Sequence, residues 1–190
     1  MNFGDFVYLD ADSPTGLRWK VEGGKGRSKH YEGDIAGSRQ ENSAWRIWLD
    51  GYSYKCHRIV YELFHKTTIP DGMVVDHMNQ NPFDNKIDNL RTVTRKINSR
   101  NMKRNVNNKT GINGVGLITV KGKFVYAVAQ WRDLKGNNHQ KSFSLLKYGD
   151  NSLEMANEFR SNAIKELNSM GAEYSDIHGA NTIPDNVKVG

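Results

Sequence analysis

Residues 73–98 read MVVDHMNQNPFDNKIDNLRTVTRKIN. The apolar run Met73 to Val75 stops at Asp76-His77, and a loop rich in Asn and Asp fills 78–88. NLRTVT then alternates as a strand does, and from Arg95 the spacing turns helical through about Met102. The order is strand, loop, strand, helix, with a carboxylate and an imidazole side by side where the first strand ends.

Just upstream, HRIVYELFH (57–65) places Ile59, Val60, Leu63 and Phe64 at helical spacing, which predicts a short amphipathic helix. Pro70-Asp71-Gly72 is a turn before the first strand. Further back, AWRIWLDGYSYKCHR alternates apolar and polar residues around Asp50-Gly51, the dipeptide that favours a two-residue hairpin. Residues 1–50, broken by Gly and polar clusters, are expected to form small, twisted antiparallel strands.

Downstream, residues 100–115 are basic, Asn-rich and end in Gly, a linker composition. GVGLITVKGKFVYAVAQWRD is two alternating runs meeting at Lys121-Gly122, and NNHQKSFSLL supplies a third strand. DNSLEMANEFRSNAIKELNSMG predicts a helix with an apolar stripe of Leu153, Ala156, Phe159, Ala163, Ile164 and Leu167. Asp150, Asn151 or Ser152 can cap its start, and Gly171 stops it. Residues 172–190 have little periodicity.

The expected organisation is therefore an N-terminal β-rich segment (1–50), a strand–loop–strand–helix core (51–104), a three-stranded module with a helix (105–170) and a tail (171–190). A mean hydropathy of −0.71 suits small modules better than one large core. The fold class is α+β.

Net charge is +6, but its placement says more. Residues 89–132 hold ten Lys and Arg and no acid, leaving 17 basic against 21 acidic residues elsewhere. A 44-residue stretch with no carboxylate is an electrostatic footprint for a polyanion, nucleic acid above all. The single cysteine, Cys56, excludes an internal disulfide and a thiolate zinc site, and is read as a small buried apolar residue. A reducing cytoplasm is the expected setting, the host's if the chain is phage-encoded. No apolar run approaches the roughly 20 residues of a membrane span, and the first residues lack a signal pattern.

Asp76 and His77 would point to opposite faces of a continuing strand, but where the backbone bends both can reach one site. Asn98, on the helix packed behind the strands, can supply a second oxygen. A carboxylate with an amide oxygen suits a hard cation such as Mg²⁺ (or Mn²⁺) that keeps waters and takes further ligands from phosphate. His77 could then deprotonate a water for attack at phosphorus.

HRIVYELF followed by VVDHMNQNPFDNKIDNLRTVTRKIN resembles the HNH endonucleases of the ββα-metal group, in particular phage and intron homing-type enzymes, over roughly Tyr52 to Asn101. The resemblance implies that His77 is the general base and Asp76 a metal ligand. It implies that Asn89 is the central Asn, bracing the loop that holds the histidine and counted with His77 in the catalytic set. Asn98 matches the third position and second metal ligand, which is a His in many members. His57 and Arg58 match a recurring HR, read as structural or as a phosphate contact. Arg91 and Arg95 are candidate phosphate ligands.

Lys109 to Met170 resembles the DNA-binding domain of plant ethylene-response-factor transcription factors, which also occurs in phage HNH homing endonucleases. In that family a sheet lies in the major groove. Alternation puts Phe124, Tyr126, Val128 and Gln130 on one face and Val125, Ala127, Ala129 and Trp131 on the other, and leaves open which face meets the helix. Lys121, Lys123, Gln130, Trp131, Arg132 and Lys141 are candidate DNA contacts, with core packing the competing role for Trp131. In the basic linker Arg100, Lys103 and Arg104 could track the backbone.

The expectation is a metal-dependent DNA endonuclease of homing type, its site chosen by the C-terminal module. Its partner is double-stranded DNA, without membrane or small-molecule substrate, and one site per chain favours nicking by a monomer. The rivals are a catalytically inactive DNA-binding regulator and an RNA-binding protein.

Overall fold

A computed structural model describes residues 1–26, 29–40, 44–101 and 107–175. The chain divides into two compact units, Met1–Asn98 and Ser99–Gly190.

The first unit starts with an antiparallel pair, β1 (Val7–Leu9) and β2 (Leu17–Trp19). A three-stranded sheet follows, β3 (Ser38–Arg39), β4 (Trp45–Leu49) and β5 (Tyr52–Lys55), with β4 in the middle. Asp50 (φ 49°) and Gly51 (φ 80°) make the two-residue turn between β4 and β5, and Leu49 faces Tyr52 across it. Both turn residues need positive φ to match the strand twist, which Asp tolerates and Gly adopts freely.

Next comes α1 (Cys56–His65), closed by Lys66 in the left-handed region with its N–H on the Glu62 carbonyl. Cys56, Ile59 and Val60 recur at helical spacing and are buried with Leu17, Ile47 and Leu49 in one core. Fully burying a side chain such as Ile47 or Ile59 stabilises by roughly 1.5–3 kcal/mol. That core draws on Val7, Leu17, Trp19 and Ala36 as well as Val75 and Leu90. Residues 1–50 are thus built into the same body as the strands that follow.

The hairpin of β6 (Met73–His77) and β7 (Leu90–Thr94) pairs Val75 with Thr92, Asp76 with Arg91 and His77 with Leu90. α2 (Arg95–Arg100) follows directly. It was expected to run to about Met102, which lies outside the described residues.

In the second unit β8 (Val115–Val120), β9 (Lys123–Arg132) and β10 (Asn138–Ser144) form an antiparallel sheet with β9 central. The Asp50-Gly51 turn geometry recurs at Lys121-Gly122. A short helix not foreseen in the sequence, α3 (Leu145–Tyr148), precedes α4 (Asn151–Ser169). Asp150 sits at the N-cap of α4 without a side-chain capping bond, so that capping expectation fails, and Gly171 is at φ 87° just past the helix.

Ile112, Val115, Ala127, Ala129, Phe143, Leu153 and Ala156 form the core of this unit. The helix stripe is narrower than the sequence suggested, since Phe159 is 39% exposed. Arg160, on the same helix, is buried and donates from Nε to the Gln130 carbonyl at 2.9 Å. The fold class is α+β throughout. Among the described residues no helix is long and apolar enough to cross a membrane.

Candidate active site

β6 ends in a polar pair that stays inside the protein. Asp76 is 6% and His77 9% exposed. Their side chains meet different neighbours. Arg91, opposite on β7, donates from Nε (3.2 Å) and Nη2 (3.1 Å) to Oδ2 of Asp76. The His77 ring lies edge-on to His57 of α1, centroids 4.7 Å apart, and its Nε2 is 3.1 Å from Oδ1 of Asn85.

The loop between the strands is tied by its own polar side chains. Asn89 accepts at Oδ1 from the Asn79 amide (2.9 Å) and donates from Nδ2 to Asn79 Oδ1 (3.0 Å) and to the Asp84 carbonyl (2.8 Å). Asn79 in turn donates to Asp84 Oδ2 at 2.7 Å. At the base of the loop the backbone N–H of Met78 reaches the Asn89 carbonyl and that of Gln80 the His77 carbonyl. Each such bond contributes about 1 kcal/mol net, and the set holds β6's end in a single shape. Asn89 therefore meets the loop, not the His77 ring.

Burial lowers the basicity of both histidines. His57 is pushed down to about 3, first by burial and then by the neighbouring His77. His77 is also lowered, by burial above all, with the Asn85 hydrogen bond and the Asp76 charge acting against it. Both rings are therefore neutral at neutral pH, and a neutral imidazole is what a general base requires. Nδ1 of His57 is buried without a hydrogen-bond partner among the described residues. Cys56 is buried and its thiol is pushed up to about 12, so it packs as an apolar group.

Among the described residues no three His, Cys, Asp or Glu side chains gather around a possible metal position. The donors expected from the sequence are one carboxylate, Asp76, and the amide of Asn98, which is half-buried on α2. This set fits a hard cation that keeps waters and binds jointly with phosphate, and it does not fit zinc or a closed protein cage. A cation at Asp76 has to share the carboxylate with Arg91, which was expected to face phosphate instead.

The remaining candidates sort by burial. Arg95 is exposed at the start of α2. Arg100 departs from expectation. It is buried, with its guanidinium on the carbonyls of Ala172 and Asp133 and 4.8 Å from the centre of the Tyr174 ring, so it braces the second unit from within. Lys103 and Arg104 lie outside the described residues. Lys121 and Lys123 are exposed at the β8–β9 turn.

The face of β9 that meets α4 is the one carrying Ala127, Ala129 and Trp131, with Trp131 5.6 Å from Phe159. Trp131 thus takes the packing role. Lys141 is on that same face, pairing with Ala129 and approaching the Phe159 ring. Gln130 and Arg132 are exposed on the opposite face, where Val128 is nevertheless buried, and a bulge opposite Ile118 and Thr119 interrupts the alternation between Tyr126 and Phe124.

The adjacent Asp and His at a strand end, the Asn-pinned loop and the helix after the second strand have a counterpart among known proteins. The family model described as HNH endonuclease matches residues 54–100. Residues 54–100 are an HNH endonuclease domain. The chain is also 37% identical over 65 residues to Protein 3.8 of Escherichia phage T7, a match covering 29% of this chain and 54% of that protein. The chain thus spans about half the length of the curated relative it matches. No solved structure gives a significant match.

Within the HNH domain, sequence reasoning overlooked Asn85. It stands in a run of Asn and Asp that reads as ordinary turn chemistry, and nothing in the spacing separates it from its neighbours. Its burial, at 4% exposure in a polar loop, is the distinguishing feature.

Proposed function

We propose that this protein is a metal-dependent endonuclease that hydrolyses phosphodiester bonds of double-stranded DNA. The observation that carries the reading is the buried, neutral His77 at the end of β6 beside Asp76, in a domain of HNH type. His77 takes a proton from a water as that water attacks phosphorus. One P–O bond forms, one breaks, and the departing oxygen gains a proton from solvent. Asp76 and Asn98 would hold Mg²⁺ or Mn²⁺, which when bound supplies charge stabilisation to the phosphate and the departing oxygen. Asn89 keeps the loop, and with it the end of β6, in one shape.

An HNH site that reads only phosphate is indiscriminate, so sequence selection must come from elsewhere. The face of the β8–β10 sheet that exposes Gln130 and Arg132 would meet the groove. Lys121 and Lys123 add non-specific contacts to phosphate. This organisation, with a phage relative, supports a homing-type enzyme acting as a monomer in the host cytoplasm.

The test is cleavage of supercoiled plasmid carrying phage genomic fragments, with Mg²⁺, Mn²⁺ or EDTA, for wild type and His77→Ala. Metal-dependent open circles, lost in the variant while DNA affinity holds, are expected. Loss of about 10²–10⁴ in rate corresponds to removal of a general base. Tight binding with no cleavage under any divalent ion would leave a DNA-binding regulator instead.

A further inference from the structure

The side chain of Asn85 connects two parts of the first unit that are 70 residues apart in sequence. Its Nδ2 is 2.8 Å from the carbonyl oxygen of Thr15, and its Oδ1 is 3.1 Å from Nε2 of His77. A carbonyl oxygen can only accept, so the end of the amide that meets Thr15 must be the NH₂. The amide oxygen is thereby turned to His77. It too can only accept, so Nε2 must carry the proton. In a neutral ring the lone pair then belongs to Nδ1.

The anchor at Thr15 is itself built. Thr15 is fully buried, and its Oγ1 donates to the Leu17 carbonyl (3.1 Å) and accepts from the Leu17 N–H (3.2 Å). Ser13 Oγ lies 3.1 Å from Thr15 Oγ1 and donates to the same Leu17 carbonyl at 2.8 Å. Gly16, at φ +78°, closes the turn. A Cβ there would stand 2.8 Å from Cγ2 of Val60 and 3.6 Å from Cβ of Asn85. The turn is therefore pressed against α1 and Asn85 with no room to retreat.

We propose that Asn85, clamped by the Thr15 carbonyl, is a positioning residue that holds His77 as the Nε2–H tautomer and so makes Nδ1 the nitrogen that accepts the proton of the attacking water. Residues 13–17 then belong to the frame of the active site, although the HNH match begins only at residue 54. The consequence for catalysis rests on the nuclease reading above, whereas the tautomer does not. Loss of the correct tautomer in a comparable base, the histidine of a serine-protease triad, costs about 10⁴ in rate.

The test is ring-nitrogen NMR of the full chain labelled with ¹⁵N-histidine, in EDTA at about pH 8, where an ordinary histidine is neutral. The His77 signal is assigned by its loss in His77→Gln. Wild type is expected to show a protonated Nε2 and an unprotonated Nδ1. Asn85→Leu and Asn85→Ala are expected to mix the two tautomers and to lower nicking by about 10²–10⁴ with DNA affinity unchanged. A wild-type ring protonated at Nδ1, or an unchanged Nε2–H ring in a folded Asn85 variant, overturns the proposal. Should both variants fail to fold, the wild-type ring alone decides. A ring that reads as expected in a protein that cuts no DNA leaves the positioning intact and removes the nuclease reading. Nicking by a protein whose ring is Nδ1–H does the reverse.

Discussion

Arg91 closes on Asp76 across the β6–β7 hairpin, both of its hydrogen bonds falling on one carboxylate oxygen. The two are opposite each other in the strand register, so the hairpin itself enforces the contact. Asp76 is the buried member, at 7% side-chain exposure against 37% for Arg91. A buried carboxylate without a cation is costly, and here the facing strand supplies one. A metal ion bound as proposed would therefore draw on the same group as the Arg91 pair.

Arg91→Ala removes that cation and leaves the Asp76 carboxylate buried. A destabilisation of about 1.5–3 kcal/mol is expected, the range for losing hydrogen bonds to a charged group. Saturating Mg²⁺ should restore a larger share of stability in the variant than in wild type, because the ion takes over the role of the guanidinium. Urea melts with and without Mg²⁺ measure both. Equal gains in the two proteins would mean that Asp76 does not bind the ion.

His57 makes stability depend on acid. Its folded pKa of about 3 lies well below the ordinary value of 6.5, so between these limits the unfolded chain binds the extra proton. Stability from this group is present above about pH 6.5 and is lost as pH falls toward 3. The slope approaches roughly 1.4 kcal/mol per pH unit in the middle of that window. His77, also depressed by burial, adds in the same direction. His57→Phe should flatten the acid limb of a melting-temperature profile, and an unaltered limb would show that His57 is not the group responsible.

Asn89→Ala cuts three hydrogen bonds at once, two to Asn79 and one to the Asp84 carbonyl. At about 0.5–1.5 kcal/mol each, a loss of about 2–4 kcal/mol is expected. Because Asn89 touches the loop and not His77, nicking should fall through misplacement of β6's end while DNA affinity stays. A variant as stable and as active as wild type would remove Asn89 from the site.

Local patterns made much of the fold legible. The Asp50-Gly51 and Lys121-Gly122 turns, the period change at α1 and the strand–loop–strand–helix order each rest on a few neighbouring residues with a strong backbone preference. The site was legible only so far as it is contiguous. Asp76 and His77 stand out as charge and imidazole ending an apolar strand, but the Asn85–Thr15 contact spans 70 positions and joins two residues whose types suit any turn. Arg100 was misjudged for a related reason. In sequence it is one more cation in a basic run, and only the carbonyls and the Tyr174 ring around it reveal an internal brace. Charge counts cannot separate a cation that faces solvent from one that satisfies a buried carbonyl.

The same distinction governs the last prediction, which concerns the second unit. Trp131 and Gln130 are neighbours on β9, and alternation sends one toward α4 and the other, exposed, to the opposite face. Trp131→Ala should therefore act on stability, by about 2–4 kcal/mol, somewhat under the cost of a fully buried Trp because the ring is half-buried. Gln130→Ala should leave stability unchanged and relax preference at particular base positions by about 1–3 kcal/mol. Lys121→Ala and Lys123→Ala should weaken binding to all sequences alike and lower the salt slope by about one each. Affinity measured against salt on cognate and scrambled duplexes, beside urea melts, separates the three classes. If Trp131→Ala loses base preference at full stability while Gln130→Ala is silent, the sheet meets DNA by its other face, and the recognition surface assigned to this unit is wrong.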